Sequence, residues 1–229
     1  MAPIDAFLGF SEAADAAHLE ATMAQYNSLV AEIKRLDPTF ADEELLPEGG
    51  VAGLDWQARG NLIDSLRMKL AAEYYLKNGD LKPLQGETVA YLRKAVDAAY
   101  DIAVADVDAG RSQPRLSREE AVGNAMDARV RGNLKDIFSW NDVPFGAQRD
   151  IAVNNRDYDS SKDVVSYRIP DARIGDVVYD WTLSTKMPSD AQVRGFFSAD
   201  SQPIAVVIIR PSQLGGYGVY LIKRPANHN

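Results

Sequence analysis

The apolar positions of the first hundred residues repeat at helical intervals. Leu19, Met23, Tyr26, Val30 and Ile33 recur at three- and four-residue steps and predict an amphipathic helix over 11–36. Ser11 is its expected N-cap and Asp37-Pro38 its stop, because the residue before proline avoids the α region. Residues 41–55 contain Pro47 and Gly49-Gly50 and read as a loop. Leu62, Leu66, Leu70 and Tyr74 predict a second helix from Trp56 to Lys77, ended by Asn78-Gly79-Asp80. Val89, Leu92, Val96, Ala99 and Tyr100 predict a third from Glu87 to Asp106. Three such helices are expected to pack antiparallel, with Trp56, Tyr74, Tyr75, Tyr91 and Tyr100 in the core.

The pattern changes beyond Asp108-Ala109-Gly110 and Gln113-Pro114, which mark a boundary. Ser117 and Glu120 have the spacing of a capping box, and Val122, Met126, Val130, Leu134 and Ile137 carry the helix to about Phe138. Residues 139–162 are polar, with one short strand expected around Ile151–Val153. Two strands, 164–174 and 177–186, flank Gly175-Asp176, a hairpin turn signal. Ser189 caps a short helix to about Phe197. Pro203–Arg210 is a continuous apolar run, as in a strand covered on both faces, and Gly218–Lys223 is the last strand. The expected fold class is α+β: an N-terminal antiparallel helical bundle, residues 1–110, then an α/β domain with a mixed central sheet, residues 111–229.

Composition narrows the chemistry. Hydrophobic residues make up 46% and charged residues 25% of the 229, which is ordinary for a globular chain. No apolar run reaches the roughly 18–20 residues of a membrane span. Met1 to Phe10 lacks a basic n-region and carries Asp5, so it does not read as a Sec signal. The absence of cysteine excludes disulfides, thiolate metal sites and thiol catalysis. The only histidines are His18 and His228, which leaves no material for a histidine-rich zinc site. A net charge of −8 argues against nucleic-acid binding by the chain as a whole. Yet residues 1–110 hold 9 basic and 19 acidic side chains, net −10, whereas 111–229 hold 16 and 14, net +2. That asymmetry points to two segments with different partners.

The expected hairpin collects the informative residues. Asp180, Thr182, Ser184 and Lys186 are two apart and share one face of the second strand. About a Gly175-Asp176 turn, Asp171 falls opposite Asp180. Two facing carboxylates repel unless a cation lies between them, and Mg²⁺ or Mn²⁺ is the natural filler. A nearby lysine would orient water and offset charge on a phosphate. Arg168, Arg173, Arg194 and Arg210 are candidate phosphate contacts, with ordinary surface charge as the equal alternative. The polar face also suits a solvated surface hairpin.

The order helix–strand–strand–helix–strand, with Pro170-Asp171 in the first strand and Lys186 ending the second, resembles the PD-(D/E)XK nuclease superfamily over about residues 115–223. Ser184-Thr185-Lys186 departs from the usual acidic-x-Lys and looks like the Ser-x-Lys variant of nuclease toxins from contact-dependent inhibition systems. The resemblance implies an acid from the preceding helix, Glu120 or alternatively Glu119. It further implies a role for Gln192, since Gln192 to Phe196 is similar to the family's Gln-x-x-x-Tyr element. The implied catalytic set is Asp171, Lys186, Ser184 and Gln192. With the candidate phosphate contacts Arg168, Arg173 and Arg194, the expected site would bind substrate, and Asp171, Asp180 and Glu120 would hold Mg²⁺ or Mn²⁺, with Zn²⁺ a further candidate.

The function expected from the resemblance is an antibacterial effector that hydrolyses phosphodiester bonds of DNA or RNA, tRNA included. It would leave the producing cell by a signal-peptide-independent secretion system, through a component of that machinery, and act in the target-cell cytoplasm. A cognate immunity protein would be its partner at home. The competing expectation is a non-catalytic adaptor or immunity-type binding module, favoured by the acidic helical half. A third, an ADP-ribosyltransferase, lacks the downstream Glu-x-Glu or Gln-x-Glu that such enzymes use.

Overall fold

A computed structural model describes residues 4–111, 115–161 and 165–226; Gln113, Pro114, Val164 and His228 lie outside them. The chain divides into two compact units, Met1–Leu84 and Gln85–Asn229.

The first unit is built on helices α1 (Ile4–Leu36) and α2 (Trp56–Asn78). Helix α1 starts upstream of Ser11, which is therefore interior and not a cap. Asp55 caps α2 by accepting from the Ala58 N–H at 2.7 Å. Gly79 closes it in the left-handed region, φ 71°, where a side chain would be strained. Contrary to expectation, α1 and α2 run parallel. Asp15 pairs with Arg59 near both N-terminal ends, and Glu32 accepts from the Tyr74 hydroxyl near both C-terminal ends. Antiparallel packing follows from a short connection. Here residues 37–55 are long enough to travel back along the pair through two short 3-10 turns. Their Val51 joins Tyr26, Val30, Ile33, Leu62, Ile63 and Leu66 in one core, with Phe40, Leu46 and Leu54 against it. Trp56 is not in that core: it is 59% exposed and stacks on the His18 ring.

The second unit contains helices α3 (Lys82–Asp108, whose first residues belong to the first unit), α4 (Arg118–Trp140) and α5 (Ala191–Phe197). Its mixed five-stranded sheet has the order β1-β4-β5-β6-β7. The strands are β1 (Ile151–Val153), β4 (Ala172–Ile174), β5 (Val177–Trp181), β6 (Ala205–Ile209) and β7 (Val219–Lys223). A separate antiparallel ribbon pairs β2 (Asp157–Asp159) with β3 (Ser166–Arg168).

The β4–β5 turn is the expected Gly175-Asp176, and Gly175 alone has positive φ, 57°, the pattern of a type II′ turn. Pairing of Ala172 with Tyr179 is the expected register. The first expected strand, however, is two. Pro170 has no N–H for a ladder and forces its predecessor extended, so the chain leaves the ribbon after Arg168 and enters the sheet at Ala172. The second strand ends at Trp181, so Thr182–Lys186 is irregular and two-residue alternation does not govern it.

Strands β5 and β6 are parallel, and α5 is the crossover between them. Val193, Phe196 and Phe197 of α5 pack on Val178, Val206, Ile208 and Ile222 of the sheet. The apolar run forms β6, buried at every position, although Ile204 just before it is exposed. Helix α3 is sewn into this unit, which the expected boundary at Gly110 would have denied it. Gln85 donates to the Ile174 carbonyl at 2.9 Å and accepts at its own carbonyl from Tyr179, and Asp97 receives two bonds from Ser212.

Candidate functional site

The β4–β5 register, carried one residue past Ala172 and Tyr179, sets Asp171 opposite Asp180. The Asp171 backbone is pinned to the end of β1, its carbonyl accepting from the Asn154 N–H at 2.9 Å. Its Oδ2 accepts from the Trp181 backbone N–H at 2.8 Å. Asp180 lies on the sheet face covered by α5, next to Val178 and Ile208.

Asp180 Oδ1 accepts from Gln192 Nε2 at 2.9 Å, and Gln192 Oε1 accepts from Lys186 Nζ at 2.7 Å. Gln192 thereby links the lysine to the carboxylate. Its amide orientation is forced, because the acceptor must face the ammonium and the donor the carboxylate. Lys186 reaches this point because the Tyr220 hydroxyl of β7 brackets its backbone, accepting from its N–H at 2.7 Å and donating to its C=O at 3.1 Å. Arg210, bonded to the Leu183 carbonyl, fastens the segment leading to it.

The electrostatics follow from burial. Burial, and then the facing Asp180, push the Asp171 carboxyl up to about 7, against the opposing pull of the Trp181 N–H, Arg131 and Lys186. Burial also raises Asp180, with Lys186 and Gln192 pulling the other way. Asp180 Oδ2 is buried and has no hydrogen-bond partner among the described residues. Two desolvated carboxyls and an orphaned oxygen form a site short of positive charge. Among the described residues, no group of three or more His, Asp or Glu could share a metal ion. Two carboxylates still suit Mg²⁺, which keeps several waters and needs only one or two protein carboxylates besides substrate phosphate. The donor set therefore fits the implied cation.

The structure brings together Asp171, Asp180, Lys186 and Gln192. It places the other candidates elsewhere or in other company. Glu120 closes the expected capping box with Ser117, accepting from the Ser117 N–H and hydroxyl at 3.0 and 2.8 Å, and those bonds hold its carboxyl below the usual range. Ser184 is exposed, its hydroxyl 3.2 Å from that of Thr182. Arg173 is spent on the Gly175 and Arg149 carbonyls and faces Asp157 at 3.8 Å. Arg168 lies across α5 at Gly195, where a Cβ would come within 2.2 Å of its Nε. Arg194 is exposed on α5.

Two residues that the spacing did not single out flank the pair from α4. Asp127 accepts from the Trp181 indole N–H at 2.9 Å and is paired with Arg131, whose charge acts on Asp171. Their i,i+4 spacing was visible as an ordinary helix-surface pair. Nothing local connects it to a strand fifty residues later.

No family model, curated protein or solved structure matches the chain.

Proposed function

We propose that the chain is a divalent-metal-dependent nuclease. The observation that supports this most is the carboxyl pair Asp171–Asp180, with an unpartnered buried oxygen, set against the Lys186–Gln192 link. Asp171 and Asp180 would hold Mg²⁺ or Mn²⁺. Such an ion, when bound, supplies Lewis acidity at the phosphoryl oxygen and a nucleophilic water near neutral pH. Lys186, held by Gln192, would orient that water and offset the charge that develops on the phosphoryl oxygens. Gln192 acts through Lys186 and Asp180 as a positioning residue. Arg131 favours the ionised form of Asp171, the form a metal requires.

The resemblance to Ser-x-Lys toxins extends the reading to an antibacterial effector, neutralised at home by an immunity protein. No helix among the described residues is long and apolar enough to cross a membrane.

The test is cleavage of plasmid DNA and of tRNA by purified protein, after chelation and add-back of Mg²⁺, Mn²⁺ or Zn²⁺. Asp171→Ala and Lys186→Ala should each lower the rate about 10²–10³-fold, with Ser184→Ala milder. Activity indifferent to EDTA, or full activity of both alanine variants, overturns the reading.

A further inference from the structure

The β2–β3 ribbon carries an aromatic pair that the carboxyl site does not use. Tyr158 and Tyr167 are direct cross-strand partners and so share one face. Both stay open to solvent, at 45% and 42% exposure, with ring centroids 6.1 Å apart in an edge-on arrangement. The Arg156 guanidinium stands 4.5 Å over the Tyr167 ring. Two half-exposed rings beside a guanidinium make a face on which a flat π-system can stack.

The ribbon is anchored on its other side, which makes the rings a fixed surface. The Tyr158 carbonyl accepts from the Asp200 N–H at 2.6 Å. Ser160 bonds the Asp200 carboxylate through its N–H and hydroxyl at 2.9 and 2.7 Å, and Ser201 bonds Asp157. Arg168 crosses α5 at Gly195, three residues beyond Gln192 on the same helix. Asp157 and Asp200 are thus held in anchoring bonds, with Asp157 also facing Arg173 at 3.8 Å. Two exposed cations, Arg156 beside the rings and Arg194 on α5, suit a polyanion.

Tyr167 lies four positions before Asp171, at most ~14 Å of chain. That is a few nucleotides along one strand. Bases within a duplex have both faces covered by their neighbours, so a protein ring can stack only on a base that is unpaired or splayed out. We propose that Tyr158 and Tyr167, with Arg156, form a stacking platform for unpaired bases, so that the strand delivered to the carboxyl site is single-stranded or looped. This rests on the nucleic-acid reading of that site.

The test measures binding by the full chain in EDTA, where metal-dependent cleavage cannot consume the probe. The probes are fluorescein-labelled oligo-uridylate, oligo-thymidylate and a duplex of equal length. The single strands should bind more tightly than the duplex. Tyr158→Leu and Tyr167→Leu keep an apolar cross-strand contact but remove the ring, and each should weaken single-strand binding about ten-fold or more. Tyr→Phe at either position should bind like the native chain, and duplex binding should not respond to either change. Leu variants that bind like the native chain, a preference for duplex, or no binding of any oligonucleotide overturns the platform; the last result assigns the face to a protein partner. A cleavage assay with Mg²⁺ on the same oligonucleotides separates the two claims. Ring-dependent binding without cleavage upholds the platform and defeats the nuclease reading. Cleavage that the Leu substitutions leave unslowed at low substrate does the reverse.

Discussion

Asp171 is protonated at a pH where an ordinary aspartate is ionised, and that has a thermodynamic consequence. Its carboxyl titrates near 7 in the folded chain, because of burial and the facing Asp180, against about 3.9 when unfolded. Between those values the folded state binds the extra proton, so the Asp171 contribution to stability is fully present below about pH 4 and is lost as pH rises to about 7. Without metal, Asp171→Asn should remove most of this slope and stabilise the fold by roughly 2–4 kcal/mol at pH 8. Thermal melts of both proteins in EDTA from pH 4.5 to 8.5 check it; parallel curves would show that Asp171 titrates normally. Arg131 works in the opposite sense by favouring the charged carboxyl. Arg131→Ala should therefore move the acid limb of the rate–pH profile to higher pH, and Arg131→Lys should move it back. A uniform drop in rate with an unmoved limb would leave Arg131 a purely structural partner of Asp127.

At the scale of elements, one carboxylate is claimed by two roles. The resemblance implies Glu120 as a metal ligand, but its bonds to Ser117 make it the reciprocal half of a capping box at the start of α4. Ser117→Ala should cost about 1 kcal/mol of stability. Glu120→Ala should likewise lower the melting temperature while leaving metal-dependent cleavage within a few-fold of native. A loss as large as that of Asp171→Ala would restore Glu120 to the metal site. The cap was readable because its residues lie three apart in one turn. So were the Gly175-Asp176 turn and the β6 run, each a matter of immediate neighbours. The end of β5 at Trp181 was not readable: alternation of polar and apolar residues continues to Ser184, and only the partner strands decide where pairing stops.

At the scale of the molecule, the division after Leu84 changes both the expected boundary and the charge argument. Residues 85–229 hold 18 basic and 19 acidic side chains, net −1, where 111–229 alone would be +2. On the proposed reading, a nucleic acid would be engaged by local cations and rings rather than by the field of a basic domain. Helix α3 buries Leu92 and Val96 completely, at about 1.5–3 kcal/mol each, besides its bonds to β4, β5 and the 212–214 turn. A fragment from Asp80 onward, which retains the Asp80 bond to the Lys82 N–H, should fold cooperatively and keep cleavage. One starting at residue 111 should fail to fold. Circular dichroism melts of the two fragments decide it, and a stable, active 111–229 fragment would return the boundary to Gly110.

The amino-acid sequence by itself determined the α+β class, the helices, the capping box and the register that opposes Asp171 to Asp180. All of these depend on periodicity or turn chemistry within a few residues. The tertiary structure decided the rest. It set α1 and α2 parallel by sending a long connection back along them, and it gave α3 to the second unit through bonds spanning about ninety residues. It also made the site a connected set. Lys186 reaches Gln192 because Tyr220, on a strand two places away in the sheet, holds its backbone, and Asp127 and Arg131 reach β5 because α4 packs there. Those are encounters between segments far apart along the chain. Local pattern carries no record of them, because the free energy that selects them resides in packing and not in any one segment's propensity.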